Sequence, residues 1–188
     1  VLSDAEFHLA VTSIVAGLRD AHTRYAGPQS LQGQVAMLPF LVEQYGPHGS
    51  PTFIASKVGP AELIGDARFV PGVELQSLNG VPFARAVDIY ADRQTGGRPD
   101  ARRARALESL TLRPLQFEPP PDEQWVDVGF RTVRSASAEV RIPWRVVAPG
   151  VAPSAISPGS HASRFIAASL AAEHARRAKK LLFAGRLW

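Results

Sequence analysis

His22 is the side chain in this sequence best placed to do chemistry, and it lies in the segment Leu18-Arg19-Asp20-Ala21-His22-Thr23-Arg24-Tyr25. A histidine titrates near neutral pH, so it can take a proton from a serine hydroxyl and later return it. A plainer interpretation is a partly exposed histidine near a helix C-terminus, interacting with the helix dipole. On the residues alone, this plainer interpretation is favoured.

Asp20 lies two residues before His22 and is the candidate for orienting its ring. A carboxylate that accepts a hydrogen bond from one imidazole nitrogen can orient the ring and leave the other nitrogen free. An aspartate at this position could equally be a solvated loop acid or a turn-former. Both interpretations remain open at the level of the sequence.

The sequence offers no convincing nucleophile to match this base. No serine after Trp144 is expected in a glycine-flanked elbow between a strand and a helix. Lys179 and Lys180 belong to a charge cluster, which argues against a serine–lysine dyad. The serines in question lie in an expected linker or an alanine-rich helix: Ser154, Ser157, Ser160, Ser163 and Ser169.

Other chemistry is poorly supported, and no cofactor is expected. The chain contains no cysteine, which excludes disulfides, thiolate metal sites and a cysteine nucleophile. Phosphate-loop and dinucleotide-binding fingerprints are absent. The remaining histidines lack the spacing of a metal site; they are His8, His48, His161 and His174.

The 188 residues carry a formal net charge of +4, yet their pattern argues against nucleic-acid binding. The basic residues are mostly dispersed arginines, and aromatic residues do not alternate with them as a single-strand groove requires. A solvated charged face is the better interpretation. No apolar run approaches the roughly 20 residues of a membrane span, and no signal peptide is visible.

Hydrophobic patterning predicts a mixed α+β fold. Ser3 and Glu6 have capping-box spacing, and an apolar stripe follows at Phe7, Val11, Ile14, Val15 and Leu18. Strands are expected over 35–42, where Pro39 implies an edge or a bend, and over 52–58. Helices are expected after Gly80, ending at Gly96-Gly97, and from about Asp100 to Leu112.

Turns and connectors complete this outline. Asn79-Gly80 predicts a tight turn with positive φ at both residues. Alternating apolar residues over 126–130 and 140–146 predict two half-buried strands, joined around Ser135. Pro119-Pro120-Pro121 is an extended connector. Residues 148–160 are expected to form a linker, and Phe165–Phe183 a terminal helix.

The central stretch resembles the PDZ domain of bacterial proteases. The similarity is carried by Val58-Gly59-Pro60-Ala61, Gly65, Pro71-Gly72, Leu75 and Leu78-Asn79-Gly80, although Val73 stands where that family usually has aspartate. The expected organisation is an amino-terminal helix with a histidine-bearing loop (1–32), a PDZ-like barrel or sandwich with two helices (33–148), and a Pro-rich linker with a terminal helix (149–188).

A second resemblance covers about residues 4 to 148. Leu18–Tyr25 is similar to the segment before the PDZ domain in carboxyl-terminal-processing (tail-specific) serine peptidases, in the histidine-using branch of tricorn-like enzymes and relatives of the chlamydial protease-like activity factor. Further similar stretches follow in the same order: Val35-Ala36-Met37-Leu38-Pro39-Phe40, Pro71-Gly72-Val73-Glu74, Asn79-Gly80-Val81-Pro82, Leu110-Thr111-Leu112-Arg113-Pro114 and Pro121-Asp122-Glu123-Gln124-Trp125-Val126.

This resemblance implies that His22 is the general base for a serine farther along the polypeptide. The chain would then be an amino-terminal fragment of a serine-type endopeptidase, inactive alone, with a PDZ-like module that binds substrate or regulates access. Its partners would be a peptide or protein substrate and a missing catalytic domain. The resemblance also implies a secreted or cell-envelope location.

The alternative is a non-catalytic PDZ-like module that binds peptides or proteins, with no residues assignable to the peptide site. A glycine-flanked serine in the downstream coding sequence would favour the peptidase. A natural end at Trp188 would favour the binding module. The fragment hypothesis also predicts exposed apolar surface around Phe165, Leu181, Leu182 and Phe183, which could lead to self-association.

Overall fold

A computed structural model describes residues 4–47 and 49–147. The described helices are α1 (Asp4–Gly17), α2 (Ala61–Ile64), α3 (Phe83–Asp92) and α4 (Pro99–Ser109), with a 3-10 turn at Gln29–Leu31. The described strands are β1 (Val35–Met37), β2 (Phe40–Tyr45), β3 (Thr52–Val58), β4 (Glu74–Leu78), β5 (Val81–Pro82), β6 (Leu112–Pro114), β7 (Trp125–Arg131), β8 (Ser137–Pro143) and β9 (Arg145–Val147). The predicted α+β class is confirmed.

The described strands form two antiparallel sheets and no closed barrel. The larger sheet has the order β2-β3-β4-β7-β8, with β5 paired to β4, and the smaller has the order β6-β1-β9. This arrangement is consistent with a small PDZ-like domain. Of the two predicted forms, barrel or sandwich, the barrel is therefore wrong for this part of the chain.

The core lies between the larger sheet and the helices α3 and α4. Phe69 is at its centre, with its ring edge-on to Phe40 at 5.2 Å and to Phe130 at 4.9 Å between centroids. Val87 of α3 and Ala106 of α4 are fully buried against the same cluster. Alternation along β7 places Val126, Val128 and Phe130 inward, as the period of two in the sequence predicts.

The turn predictions hold. Asn79 and Gly80 have φ of 51° and 75°, which is the left-handed conformation that a two-residue hairpin needs. The Asn79 side chain also accepts a hydrogen bond from the Asp127 amide at 2.8 Å, which ties the β4–β5 hairpin to β7. Ser135, with φ of 65°, turns β7 into β8.

Three predicted elements have different boundaries. The strand expected over 140–146 is divided at Trp144 into β8 and β9, which join different sheets. The strand expected over 35–42 is interrupted after Met37 because Pro39 cannot donate to a ladder, so β1 and β2 join different sheets. The helix expected from Asp100 to Leu112 ends at Ser109, and β6 begins at Leu112. Main-chain pairing with β1 (Met37 opposite Leu112) stabilises that earlier change of structure.

The amino-terminal helix is present, but its apolar stripe does not pack on the described core. Phe7 and Ile14 of α1, and Leu18 in the turn directly after it, are spaced by seven and four residues and share one side of the helix. Their exposed fractions are 52%, 67% and 61%. Only Ala16 of this helix is buried among the residues whose side chains are described. The helix therefore offers apolar surface at a place other than the predicted one.

Several expectations fall outside the described residues. The Pro-rich linker, the helix at Phe165–Phe183 and the exposed apolar residues expected there all lie beyond residue 147. Within residues 4–47 and 49–147, no helix is long and apolar enough to cross a membrane.

Two phenylalanines give a matched test of this packing. Phe40→Ala removes a ring that is 1% exposed, and we expect it to lower the free energy of unfolding by about 3–5 kcal/mol. Phe7→Ala removes a ring from the exposed face of α1 and should change it by less than about 0.5 kcal/mol. Urea denaturation of both variants measures the difference. A large loss for Phe7→Ala would show that α1 is packed within this chain.

Candidate functional site

The end of α1 determines where the His22 segment begins. The amides of Leu18 and Arg19 bond to the carbonyls of Val15 and Ala16, both at 3.2 Å, in a final tight turn. Arg19 then adopts a left-handed conformation, with φ of 55°. This conformation stops the helix and redirects the chain, at a cost of about 1–2 kcal/mol for a residue with a Cβ. We name residues 19–27 the His22 loop.

The Asp20 carboxylate contacts both His22 and Thr23 within the His22 loop. Its Oδ1 accepts a hydrogen bond from the His22 amide at 3.0 Å and lies 3.2 Å from Nδ1 of the His22 ring. Its Oδ2 accepts a hydrogen bond from the Thr23 hydroxyl at 2.6 Å. Asp20 is thus both a turn-former and a neighbour of the ring, so the two interpretations of this residue are compatible.

These hydrogen bonds lower the pKa of Asp20 to about 2. The largest cause is the Thr23 hydroxyl, followed by the His22 amide. Each donor stabilises the ionised carboxylate more than the neutral acid. Asp20 is therefore a carboxylate throughout the pH range in which a histidine exchanges its proton, and it acts as an acceptor for the ring.

The His22 ring is open to its surroundings. Its side chain is 86% exposed, and among the described residues its hydrogen-bond partner is Asp20. When Nδ1 carries the proton and donates a hydrogen bond to Asp20, the lone pair on Nε2 faces away from that contact. Such a ring can accept a proton from a group that approaches from outside the described part of the chain.

The beginning of the His22 loop is held by the segment 92–97, which connects α3 to α4. Nη1 of Arg19 donates to the carbonyl of Asp92 at 3.1 Å and to that of Gln94 at 3.5 Å. The two backbones approach closely at a pair of glycines. A Cβ on Gly97 would lie 3.3 Å from the Arg19 carbonyl oxygen, and one on Gly96 would lie 3.7 Å from Cβ of Ala21.

Arginines of α4 fix the segment 92–97 from its other side. Arg102 donates to the carbonyls of Gly96 and Gly97 at 3.1 and 2.9 Å, and Arg105 donates to that of Thr95 at 2.8 Å. Burial lowers the pKa of Arg105, and Arg24 nearby adds to this effect. These cations bind neighbouring carbonyls of the chain rather than forming the solvated face predicted from the sequence.

The end of the His22 loop is held by the segment 115–118. The Gly27 amide donates to the Gln116 carbonyl at 2.7 Å, and the Arg24 guanidinium lies 5.9 Å from the ring centroid of Phe117. Tyr25 returns to α1, where its hydroxyl hydrogen-bonds Nδ1 of His8 and its ring stacks on the His8 ring. The loop is thus attached at both ends, with His22 between the attachments.

The sequence indicated some of these residues but not their role. Gly96-Gly97 was interpreted as a helix terminator, and α3 does end before it, at Asp92. Its part in receiving the His22 loop requires contacts between residues more than 70 positions apart, which periodicity does not show. The sequence likewise does not indicate the contacts of Arg102 and Arg105, because their carbonyl partners carry no sequence signature.

The described residues supply no serine hydroxyl to the His22 ring. The candidate serines from Ser154 to Ser169 and both lysines of the weighed dyad lie outside the described ranges. In residues 4–47 and 49–147, no group of three or more metal-ligating side chains is found.

A separate recess of about 260 Å³ lies where β3, β4 and the start of α3 meet. Its lining mixes apolar and polar groups, and no residue of the His22 loop lines it. The lining residues are Pro51, Thr52, Phe53, Glu74, Leu75, Gln76, Pro82, Phe83 and Ala84.

Comparison with known proteins gives similarity at the level of the fold. No protein-family model and no curated protein sequence matches the chain. Among solved structures, mature CPAF, the chlamydial protease-like activity factor, complexed with lactacystin, superposes with a TM-score of 0.58 at 22% identity, over 84% of this chain. A CPAF mutant gives 0.55 at 21% identity, over 77% of this chain.

The similarity is limited to part of the solved proteins. The chain spans 29% of mature CPAF and 25% of the mutant. The photosystem II D1 C-terminal processing protease gives 15% identity and a TM-score of 0.34, which is too low to indicate a shared fold. At these identities the comparisons establish a shared fold with a portion of CPAF.

Gly96 gives a direct test of how the His22 loop is supported. Gly96 has φ of 106°, and an added Cβ would lie 3.2 Å from Nη1 of Arg105, so Gly96→Ala should destabilise the protein by about 1–3 kcal/mol. It should also shift the NMR signals of the His22 ring. The control is Gly17→Ala, at the end of α1 in open space, which should be neutral or stabilise by about 0.5–1 kcal/mol. Unchanged His22 signals in Gly96→Ala would contradict the contact.

Proposed function

We propose that this chain is the amino-terminal part of a serine-type endopeptidase of the carboxyl-terminal-processing type, in its histidine-using branch. In this proposal His22 is the general base, Asp20 orients its ring, and the PDZ-like module binds substrate or controls access. The nucleophilic serine comes from a part of the protein outside this chain.

One observation carries the proposal. His22 is a histidine with Nδ1 3.2 Å from an ionised carboxylate and with 86% of its side chain exposed. A histidine kept only for packing would be covered, and one at a helix end would have carbonyl groups as neighbours. A hydrogen bond donated by Nδ1 to Asp20 would hold the tautomer that a base for an alcohol requires.

The proposed reaction requires His22, Asp20 and a serine from another part of the protein. Nε2 of His22 takes the hydroxyl proton while the serine oxygen attacks the carbonyl carbon of the substrate. The same proton then passes from Nε2 to the departing amine, which leaves an acyl-enzyme that water hydrolyses by the reverse sequence. Asp20 remains ionised and stabilises the imidazolium formed in each step.

The exposed stripe of α1 supports the view that more protein packs here. Phe7 and Ile14 of α1, with Leu18 directly after the helix, form one exposed apolar face that leads into the His22 loop. Burying three such side chains would stabilise a contact by several kcal/mol, at about 25 cal/mol per Å² of apolar area. A catalytic domain covering this face would also be brought next to His22.

A second candidate is peptide binding without catalysis. β2 is an edge strand of the larger sheet, and an extended peptide can add to such an edge. Helix α4 lies against β2, which fits intramolecular regulation as well as ligand binding. The recess beside Phe53 and Phe83 is a further place for a ligand side chain.

The decisive experiment uses a fluorophosphonate probe, which labels activated serines. The 188-residue chain should not be labelled. The polypeptide extended in frame past Trp188 should be labelled, and His22→Ala should reduce its peptidase rate by about 10²–10⁴-fold, the usual worth of a general base. Rates are measured with a fluorogenic peptide substrate.

The matched control is His8→Gln in the same extended polypeptide. It removes the other histidine near the loop, which contacts Tyr25 and not Asp20, and it should retain activity within about tenfold. Labelling of the 188-residue chain would contradict the proposal that its nucleophile lies elsewhere. Equal rates for His22→Ala and the unmodified polypeptide would contradict His22 as the base.

A further inference from the structure

The two segments that hold the His22 loop are joined to each other by a chain of side chains. Gln94 belongs to the segment 92–97, and Glu118 belongs to the segment 115–118. Between them lies Ser109, the last residue of α4, which is 3% exposed. Ser109 therefore links the two segments from a buried position.

The hydrogen bonds run in one direction, from Gln94 through Ser109 to Glu118. Nε2 of Gln94 donates to the Ser109 hydroxyl at 3.0 Å, and that hydroxyl donates to Oε1 of Glu118 at 2.9 Å. The Gln94 side-chain amide also lowers the pKa of the Glu118 carboxyl group. On the backbone, the Gln94 carbonyl accepts from Arg19, and two residues before Glu118 the Gln116 carbonyl accepts from Gly27.

The carboxyl group of Glu118 is unusual for a residue outside a recognised site. Although the residue retains some exposed surface, burial of its carboxyl group raises its pKa to about 7, and this effect outweighs the lowering by Ser109, Arg113 and Gln94. The groups that face it are Ser109 and Glu108 of α4, Arg113 of β6 and Gln94 of the segment after α3. The Arg113 guanidinium donates a hydrogen bond to the Ser109 carbonyl and lies over the rings of Tyr90 and Trp144.

We propose that the chain Gln94–Ser109–Glu118 is a positioning device for His22: it locks together the two segments that hold the ends of the His22 loop. Loss of any member frees the segment 92–97 from the segment 115–118. Both attachments of the loop then loosen, although none of the three residues touches His22. The importance of this device for activity rests on the proposed role of His22.

The device responds to pH in a defined direction. A local opening that exposes Glu118 returns its pKa from about 7 toward the ordinary value of 4.5, so the closed form holds the proton more tightly. Between these two pH values, the closed form therefore loses stability as pH rises. The loop should be held most firmly below about pH 4.5 and least firmly above about pH 7.

Hydrogen exchange of single amides in the 188-residue chain tests this proposal without any need for activity. The Gly27 amide reports the end of the loop, and the Val128 amide of β7 reports global unfolding. Ser109→Ala should lower the protection of Gly27 by about two- to tenfold relative to Val128, because it removes the hydroxyl that joins Gln94 to Glu118. Gln94→Leu should act in the same direction.

Ser56→Ala is the matched control. Its hydroxyl is buried without a hydrogen-bond partner and lies on β3, so the same substitution there should leave the protection of Gly27 unchanged. Glu118→Gln retains an acceptor but removes the titration. The unmodified chain should lose Gly27 protection by at least tenfold between pH 4.5 and 7, after correction for intrinsic exchange, and Glu118→Gln should abolish this loss.

Each outcome decides the proposal. Equal protection of Gly27 in Ser109→Ala and Ser56→Ala would overturn it, as would a pH-dependent loss that persists in Glu118→Gln. If the protection of Gly27 responds as expected and His22→Ala leaves the extended polypeptide active, the link between the two segments is supported and the proposed function is contradicted. If His22→Ala removes activity and exchange does not respond, the reverse holds.

Discussion

The conformation of the His22 loop depends on one carboxylate. Asp20 accepts three contacts from within its own turn, two to His22 and one to Thr23, and these contacts keep it ionised. The two ends of the loop are held by contacts with other segments, whereas Asp20 supplies the hydrogen bonds within the turn that carries His22. The same oxygen that forms the turn also faces the imidazole, so backbone geometry and ring orientation are coupled.

The rest of the fold provides a rigid support for this turn. Gly96 and Gly97 let the backbone approach, and Arg102 and Arg105 saturate the carbonyls behind them. The buried Ser109 connects this support to the segment that holds Gly27. Positioning through backbone contacts of this kind leaves the His22 ring itself exposed.

Sequence patterns predicted those features of the fold that depend on residues close together in the chain. The α+β class, the Asn79-Gly80 turn and the alternation in β7 follow from φ preferences and from a period of two, and all three are found. The exposure of Phe7 and the role of Ser109 could not be predicted. The exposure of Phe7 depends on which parts of the fold pack against α1. The contacts of Ser109 join residues that are far apart in sequence. Asp20 beside His22 was visible in the sequence, whereas the catalytic role of this pair remains a prediction.

The most direct test of the account is the protonation of the His22 ring in the 188-residue chain. Nitrogen-15 NMR, at a pH where the imidazole is neutral, distinguishes a proton on Nδ1 from one on Nε2. The account predicts the proton on Nδ1, facing Asp20, and its redistribution in Asp20→Asn. A proton on Nε2 in the unmodified chain, unaffected by Asp20→Asn, would contradict the account, because the free lone pair would then face the carboxylate and not an incoming alcohol.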